Sequence, residues 1–405
     1  MQIRPILAAL RRHRLATLLI AIEIALACAV LCNACFLVAQ RWKMIQTKSG
    51  VDESSLAVLM VNGFEPTQAT DVNARMLAGL QAIPGMKSVT LINEVPFGPQ
   101  AGAAGVSHDP GSFKNIIGVV DFVLGGPGTF KALGLKLVAG RLPQLDDYQP
   151  AISFVPNDAQ VLVTRALAEH AWPNEDPLGK DFWCDKFHFR VIGVVDHFAR
   201  AQPHQYAMSE AQWTVFTPTA PGGTLSGTYL LRAKPQDVRR VLQAARAAVA
   251  KIAPDVVLDR EDSQTLSELR RSYFKSDRVM IDLLIGVVLT LLGVTALGIV
   301  GLTSFWVAQR RKQIGIRRAI GATRGDILRY FQTENFLIVS FGIAIGMLLA
   351  FVLNAVLMKF YELPHLPLYY LPIGALALWG LGQLAVLGPA LRAAAVPPVV
   401  ATRSV

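Results

Sequence analysis

The sequence predicts a membrane α-helical protein with four transmembrane helices and an α+β extracytoplasmic domain between the first and the second. Three observations predict it. Four apolar runs, residues 15–39, 279–308, 334–358 and 371–391, each reach the ~20 residues needed to cross a hydrocarbon core. Charge is unevenly placed: residues 41–278 hold 25 Lys and Arg against 24 Asp and Glu, and the rest of the chain holds 14 against 5. Most of the net charge of +10 therefore flanks the apolar runs. Residues 40–278, finally, alternate short strand patterns with amphipathic helix patterns.

Residues 1–14 carry Arg4, Arg11, Arg12 and Arg14 and read as a cytoplasmic N-terminus. The run that follows has the basic start of a secretory signal, but its apolar core is about twice the usual length, so it reads as a retained span. Cys28, Cys32 and Cys35 recur at i, i+4 and i+7 and share one helical face. Small residues at a helix seam explain that face more simply than metal ligands do. Glu23 lies roughly 12 Å of helix rise into the same span. An acid at that depth is either functional or buried, protonated, in a seam between subunits. Arginines before the first span, the cation-rich loop 309–333, and Arg392 and Arg403 in the tail 392–405 all fall on one side of a four-span chain, which makes that side cytoplasmic. The large domain and the short loop 359–370 are then extracytoplasmic.

Within the outer domain, Ser55–Asn62 reads as a strand, a helix follows with Thr67 as its N-cap, and Met86–Asn93 returns as a strand after Pro84 and Gly85. The same unit recurs at the far end: a strand over Gly227–Ala233, a helix opened by Pro235, and a strand within Pro254–Arg260. Two βαβ-like halves thus flank an inserted β-rich lobe with strands at Gln160–Thr164, Phe189–Val195 and Gln212–Pro218. Phe97–Ser112 has the composition of a mobile loop. A nucleophile elbow, a zinc helix motif and a phosphate loop are all missing from the pattern. His197 and His204, near Asp196, read as ordinary loop histidines, and Cys184 is the one outer cysteine. The sequence therefore predicts a non-catalytic chain with no metal site and no cofactor of its own. The balanced charge of the domain argues against a nucleic-acid partner.

The loop 309–333 carries Arg310, Arg311, Lys312, Arg317, Arg318, Arg324 and Arg329. The second span is expected to continue helically through it and to stop at Gly321, a residue suited to a left-handed cap. Ala322 completes the corner. Thr323 then caps a new helix, with Asp326 as its capping-box partner. Ile314, Ile316 and Ile320 interleave with Arg317 and Arg318, which would lay isoleucines in the interface and present cations to headgroups or a partner. Gly286, Gly293, Gly298 and Gly301 in the second span, and the Gly342/Gly346 pair in the third, permit close helix packing.

Four motifs carry a family resemblance. They are "FKALGLKLVAGRLP" (Phe130–Pro143) with a following Asp146, "DPLGKDF" leading to "FRVIGVVDHF" (Phe189–Phe198), "RRKQIGIRRAIGATRGDIL", and "GPALRAAAVPPVVATR" (Gly388–Arg403). In this order they resemble MacB-like and FtsX-like ABC transporter permeases. The resemblance implies an inner-membrane permease subunit with a periplasmic domain, working as a dimer with a second copy or a paralogue. It implies a separate cytoplasmic ATPase holding ATP and Mg, contact with membrane lipids, and a periplasmic adaptor. The coupled task would be mechanotransmission for efflux of a small molecule, peptide or lipoprotein; the alternative is a signalling scaffold that activates a cell-wall hydrolase. By the same resemblance, ATPase coupling falls to Arg310, Arg311, Gln313, Ile314, Gly315, Arg317, Arg318, Gly321, Ala322, Thr323, Arg324 and Asp326. Gln313 departs from the family, which often has Glu there.

Overall fold

The computed structural model describes residues 14–111, 115–207, 209–361 and 365–396. Arg4, Arg11, Arg12 and Arg403 therefore lie outside the described residues, as does part of the short loop 359–370. The chain divides into a membrane unit, residues 1–45 with 277–405, and an outer unit, residues 46–276.

In the outer unit the two βαβ halves form, but they interleave. β1 (Leu56–Asn62), α2 (Ala69–Gln81) and β2 (Met86–Leu91) make the first, and β10 (Thr228–Ala233), α5 (Val238–Ile252) and β11 (Val257–Asp259) the second. Their strands share one antiparallel sheet in the order β11-β1-β10-β2, a split βαβ arrangement. β1 is apolar along nearly its whole length because both its faces are covered. Ala57, Leu59 and Val61 meet Val72, Met76 and Leu80 of α2, while Leu56 and Val58 join Leu230 and, from the helix α6 (Leu266–Tyr273), Leu266 and Leu269 on the other side. Thr67 is not the N-cap. Glu65 and Gln68 form a capping box around a short 3₁₀ turn opened by Pro66, and α2 starts only at Ala69. Pro235 similarly sits in a turn, with Asp237 at the N-cap of α5.

The inserted lobe holds β3 (Ala103–Ser107), β4 (Ile116–Gly125), α3 (Thr129–Leu133), β5 (Leu137–Gly140), β6 (Ala159–Thr164), α4 (Arg165–Ala171), β7 (Asp181–Cys184), β8 (Phe187–Val195) and β9 (Thr214–Pro218). Strand order is β5-β8-β6-β9-β4-β3-β7, and β7 also pairs with β8. Six strands thereby close into a ring, with β5 added on β8 outside it, so most of the edge an open sheet would expose is paired. Val106, Val120, Phe122, Val161, Val163, Phe182 and Phe189 are buried together in the same core. The Gly-Lys element at Gly179 is the turn into β7, with the Gly179 amide donating to Val191. Arg141 pairs with Asp147, which is buried where its neighbour Asp146 is exposed, at 2.5 and 3.1 Å.

Of the stretch Phe97–Ser112, the described residues 97–111 are not a free loop. It contains β3, and a buried polar cluster holds the part before it. Asp121 and Arg200 are both fully buried and meet at 2.6 Å. Gln100 donates to Asp121 and to the Tyr206 hydroxyl, and Tyr206 stacks over the Arg200 guanidinium. Beside them Glu94 is 3 % exposed and accepts the Ala101 amide at 2.7 Å. Burial first, and the Asp121 charge second, push the Glu94 carboxyl up to about 8. At neutral pH it is therefore mostly a neutral acid.

Where the chain enters and leaves the outer unit, Arg270 ties the two segments. Its guanidinium donates to Glu53 at 2.6 Å and to the Thr47 carbonyl, and lies 4.7 Å from the Phe97 ring centre. Gly50 has φ +82°, and a Cβ there would stand 1.9 Å from the His197 carbonyl oxygen, so this entry segment accepts only glycine in its present path.

The membrane unit has α1 (Arg14–Ile45), α7 (Lys275–Gln309), α8 (Arg311–Ala319), α9 (Arg324–Tyr361) and α10 (Tyr370–Ala394); all but α8 are long and apolar enough to cross a membrane. α1 packs into α9 through the glycine pair. A Cβ on Gly342 would fall 2.8 Å from Ile24, and one on Gly346 would fall 2.5 Å from the Cys28 Cβ. Gly374 of α10 meets Cys32 in the same way, so Cys28 and Cys32 face a packing seam. Asn33 donates to the Ala350 carbonyl and Asn335 to that of Gly382, cross-bracing α1, α9 and α10. α7 is different: only 11% of its apolar window is buried, against 56% for α1. Of its four glycines, Gly298 alone has a close neighbour among the described residues, the Glu23 carboxylate.

Candidate functional site: the charged hairpin

The densest charge in the sequence becomes a helical hairpin, α8 turning into α9. The second span does not run unbroken into it. α7 stops at Gln309, Arg310 adopts φ −95° and ψ 7°, and α8 restarts at Arg311. At the far end the expected stop at Gly321 forms, with φ +107°. The Ala322 amide donates to the Arg317 carbonyl and the Gly321 amide to that of Arg318, the two bonds of a Schellman motif. One residue on, Thr323 and Asp326 make the capping box. The Asp326 amide donates to the Thr323 hydroxyl at 3.2 Å, and the Asp326 carboxylate accepts the Thr323 amide at 2.9 Å. The corner is therefore set by local hydrogen bonds.

The helix has two distinct faces. Ile314, 5% exposed, and Gly315 turn inward; Ile314 packs with Ile327, Phe331, Ala390, Ala393 and Ala394. Ile316 and Ile320 are 46% and 82% exposed. The three isoleucines therefore do not share a face, because two residues of helix rotate about 200° whereas four return to within about 40°. The outward stripe is Gln313, Ile316, Arg317 and Ile320, at i, i+3, i+4 and i+7, all exposed. Arg311, Lys312, Gly321, Thr323, Arg324 and Asp326 are exposed around it, and Ala322 is half-buried at the corner. Arg317 lies over the Tyr330 ring at 4.9 Å, which props the stripe against α9.

Two arginines fasten the inward face. Arg310 meets Glu334 of α9 at 2.9 and 3.0 Å, with side chains 12% and 2% exposed. Removing one partner of so buried a pair typically costs about 3–5 kcal/mol. Arg318 donates to the carbonyls of Ala394 and Val396, at 3.1 and 2.8 Å. Those carbonyls belong to the last turn of α10 and the residue beyond its cap, where a helix's carbonyls lack N–H donors of their own and its dipole favours a cation.

Of the residues expected to contact an ATPase, Gln313, Arg317, Gly321 and Arg324 lie outward together with Arg311. Arg310, Ile314, Gly315 and Arg318 are instead occupied within the chain. The sequence reading passed over Glu334, although an acid at the start of an apolar run requires a buried counter-charge. The α10 carbonyls gave no signal at all. Glu23, in α1, keeps one carboxylate oxygen buried without a hydrogen-bond partner among the described residues.

Comparisons with known proteins bear on this architecture. Residues 285–398, which contain the hairpin, match the family described as FtsX-like permease C-terminal. The chain is 29% identical over 226 residues to the macrolide export ATP-binding/permease protein MacB of Neisseria gonorrhoeae, covering 55% of this chain and 33% of that one. It is 24% identical to MacB of Bartonella henselae, covering 89% and 52%. The chain thus spans about a third to a half of the length of these relatives. The periplasmic region of MacB from Actinobacillus actinomycetemcomitans matches at 16% identity and a TM-score of 0.34, covering 57% of this chain and 97% of that one.

Proposed function

We propose that this chain, a MacB-like and FtsX-like ABC permease with a periplasmic domain, transmits ATP-driven motion from a cytoplasmic ATPase to that domain. The observation that carries the proposal is the outward stripe Gln313–Ile316–Arg317–Ile320. It is an exposed i, i+3, i+4, i+7 set on a helix whose other face is fastened to two membrane helices. A stripe of that spacing is what a helix presents to a groove. The proposed partner holds ATP and Mg; this chain contributes the lever.

The proposal includes an inner-membrane chain with both termini cytoplasmic, because the cation-rich hairpin and the N-terminal arginines then share a side. It includes a second permease copy or a paralogue, for which the sparsely covered α7 offers a surface, and contact of the cationic rim with anionic lipid. The proposed task is efflux of a small molecule, peptide or lipoprotein, with a periplasmic adaptor; the relatives' names, macrolide export proteins, support the first of these. Gln313 heads the stripe, so this position offers the ATPase a neutral hydrogen bond in place of an ion pair.

The test places a photo-crosslinking residue at position 320 in the native host. The expected product contains an ABC ATPase, and in a separate co-purification Ile320→Glu weakens that association. Losing a buried isoleucine is worth about 1.5–3 kcal/mol, or roughly 10- to 100-fold in affinity. Capture with no ATPase in any product refutes the proposal. A capture that leaves export intact but abolishes activation of a periplasmic hydrolase assigns the chain to signalling instead.

A further inference from the structure

We infer that Arg318 is a positioning residue, not a docking residue: it fastens the hairpin to the end of the last membrane helix, so that α8 and the last turn of α10 move as one body. Its two neighbouring cations behave differently. Arg317 is exposed on the outward stripe and leans on Tyr330, whereas the Arg318 guanidinium is half-buried and spans two carbonyls, those of Ala394 and Val396. Both carbonyls accept from one nitrogen of the guanidinium, Nη1, at 3.1 and 2.8 Å, and that nitrogen is held by a planar, permanently charged group, whereas a lysine ammonium ends a flexible stem.

The apolar packing reinforces the tie. Ala390, Ala393 and Ala394 are buried against Ile314, Ile327 and Phe331, and their small side chains let α8 approach the α10 backbone. Pro389 stands inside α10 just before this turn and removes one backbone hydrogen bond to the preceding turn. The five residues that follow it within α10 are thus held partly from outside, by Arg318 and the alanine contacts. The tie itself is a property of this chain; that it conveys force rests on the coupling reading above.

The experiment uses the full chain in lipid nanodiscs, with spin labels introduced as unnatural residues at Gln313 and Arg392. Both positions are exposed, and neither takes part in the tie. Native Cys28, Cys32, Cys35 and Cys184 rule out cysteine labelling. The expected distance distribution is narrow in the unsubstituted protein and in Arg317→Ala, and broad in Arg318→Ala. Arg318→Lys, which keeps the charge on a more flexible stem, is expected between them. Should Arg318→Ala lose its monodisperse profile, Arg318→Gln replaces it in the comparison.

A narrow distribution in the Arg318 variants, or equal broadening in Arg317→Ala, overturns the inference. A second readout separates positioning from docking: crosslinking of position 320 to the ATPase survives Arg318→Gln, while ATP-dependent movement of the outer domain is lost. Loss of that crosslink in Arg318→Gln with an unchanged distance distribution also overturns it. Absence of the crosslink in every variant sinks the coupling reading and leaves the tie standing on the distances alone.

Discussion

Replacing Glu94 by Gln should flatten the pH dependence of outer-unit stability and raise that stability above neutral pH. An unfolded Glu ionises near 4.5, whereas burial and the Asp121 charge push the folded group up to about 8. Between those values the folded chain holds one more proton than the unfolded chain, so stability falls as pH rises through the window. The whole window is worth at most about 5 kcal/mol, at about 1.4 kcal/mol per unit, and the part above pH 5.5 about 3 kcal/mol. Glutamine keeps an oxygen for the Ala101 amide and carries no charge at any pH, so it mimics the protonated acid. Cys184, the one cysteine of residues 46–276, is buried and reports unfolding of this unit by its reactivity. Urea titrations of the full chain at pH 5.5 and 8.5, followed by thiol labelling and mass spectrometry of the peptide that holds Cys184, which separates it from Cys28, Cys32 and Cys35, give the midpoints. The unsubstituted protein should lose stability across that interval, and Glu94→Gln should lose about 3 kcal/mol less. Histidines and surface groups titrate in both proteins and cancel in the difference. Equal pH slopes, or a Glu94→Gln protein weakened at pH 8.5, would refute an uncharged Glu94 in the folded state.

Three further outcomes follow from single contacts. Gly50→Ala combines a positive φ with a Cβ 1.9 Å from the His197 oxygen, so the same Cys184 assay should show a loss of about 2–3 kcal/mol; an unchanged midpoint would show that the entry segment takes another path. Arg310→Ala should destabilise the membrane unit by about 3–5 kcal/mol, and Arg310→Met with Glu334→Met should recover most of it. Thermal unfolding in detergent reads both, and a double variant no better than Arg310→Ala would mean that the pair is not a closed unit. Gly346→Leu drives a side chain into Cys28 and Ala25, so cleavage of α1 from the α9–α10 pair by limited proteolysis should become faster; an unaltered rate would place the α1 seam elsewhere.

What the sequence revealed and what it hid divide along a physical line. The Schellman stop and the Thr323–Asp326 box are local, with every donor and acceptor within six residues, so residue type and spacing sufficed. The four spans were legible because length and hydropathy need no partner. Which face of α8 points inward was not, since that depends on where Ala390, Ala393 and Ala394 lie, some seventy residues on. The same limit applies to β3. Ala103–Gly105 carries no strand signature of its own and becomes a strand because β4 pairs with it. Asp146 and Asp147 are indistinguishable in composition, and only burial selects Asp147 as the partner of Arg141.

The ties also distribute stiffness unevenly, and this bears on how a push at the hairpin would travel. Arg310 holds α8 to α9, Arg318 holds it to α10, and Asn335, Asn33 and the Gly342/Gly346 pair join α9 to α10 and α1. These elements therefore form one braced body. α7 touches that body lightly, through the Arg41–Asp277 ion pair at 2.8 Å, the Glu23 contact at Gly298, and a few side chains such as Ile299 and Trp306. On the proposed reading, a load on the outward stripe displaces the braced body against α7, and the backbone break at Arg310 is where the chain absorbs the difference. Arg310 is then asked for two things at once: to end α7 and to anchor α8. That double duty gives a reason for the buried carboxylate of Glu334: a helix break that brings a guanidinium into the protein leaves it uncompensated unless a counter-charge is buried beside it.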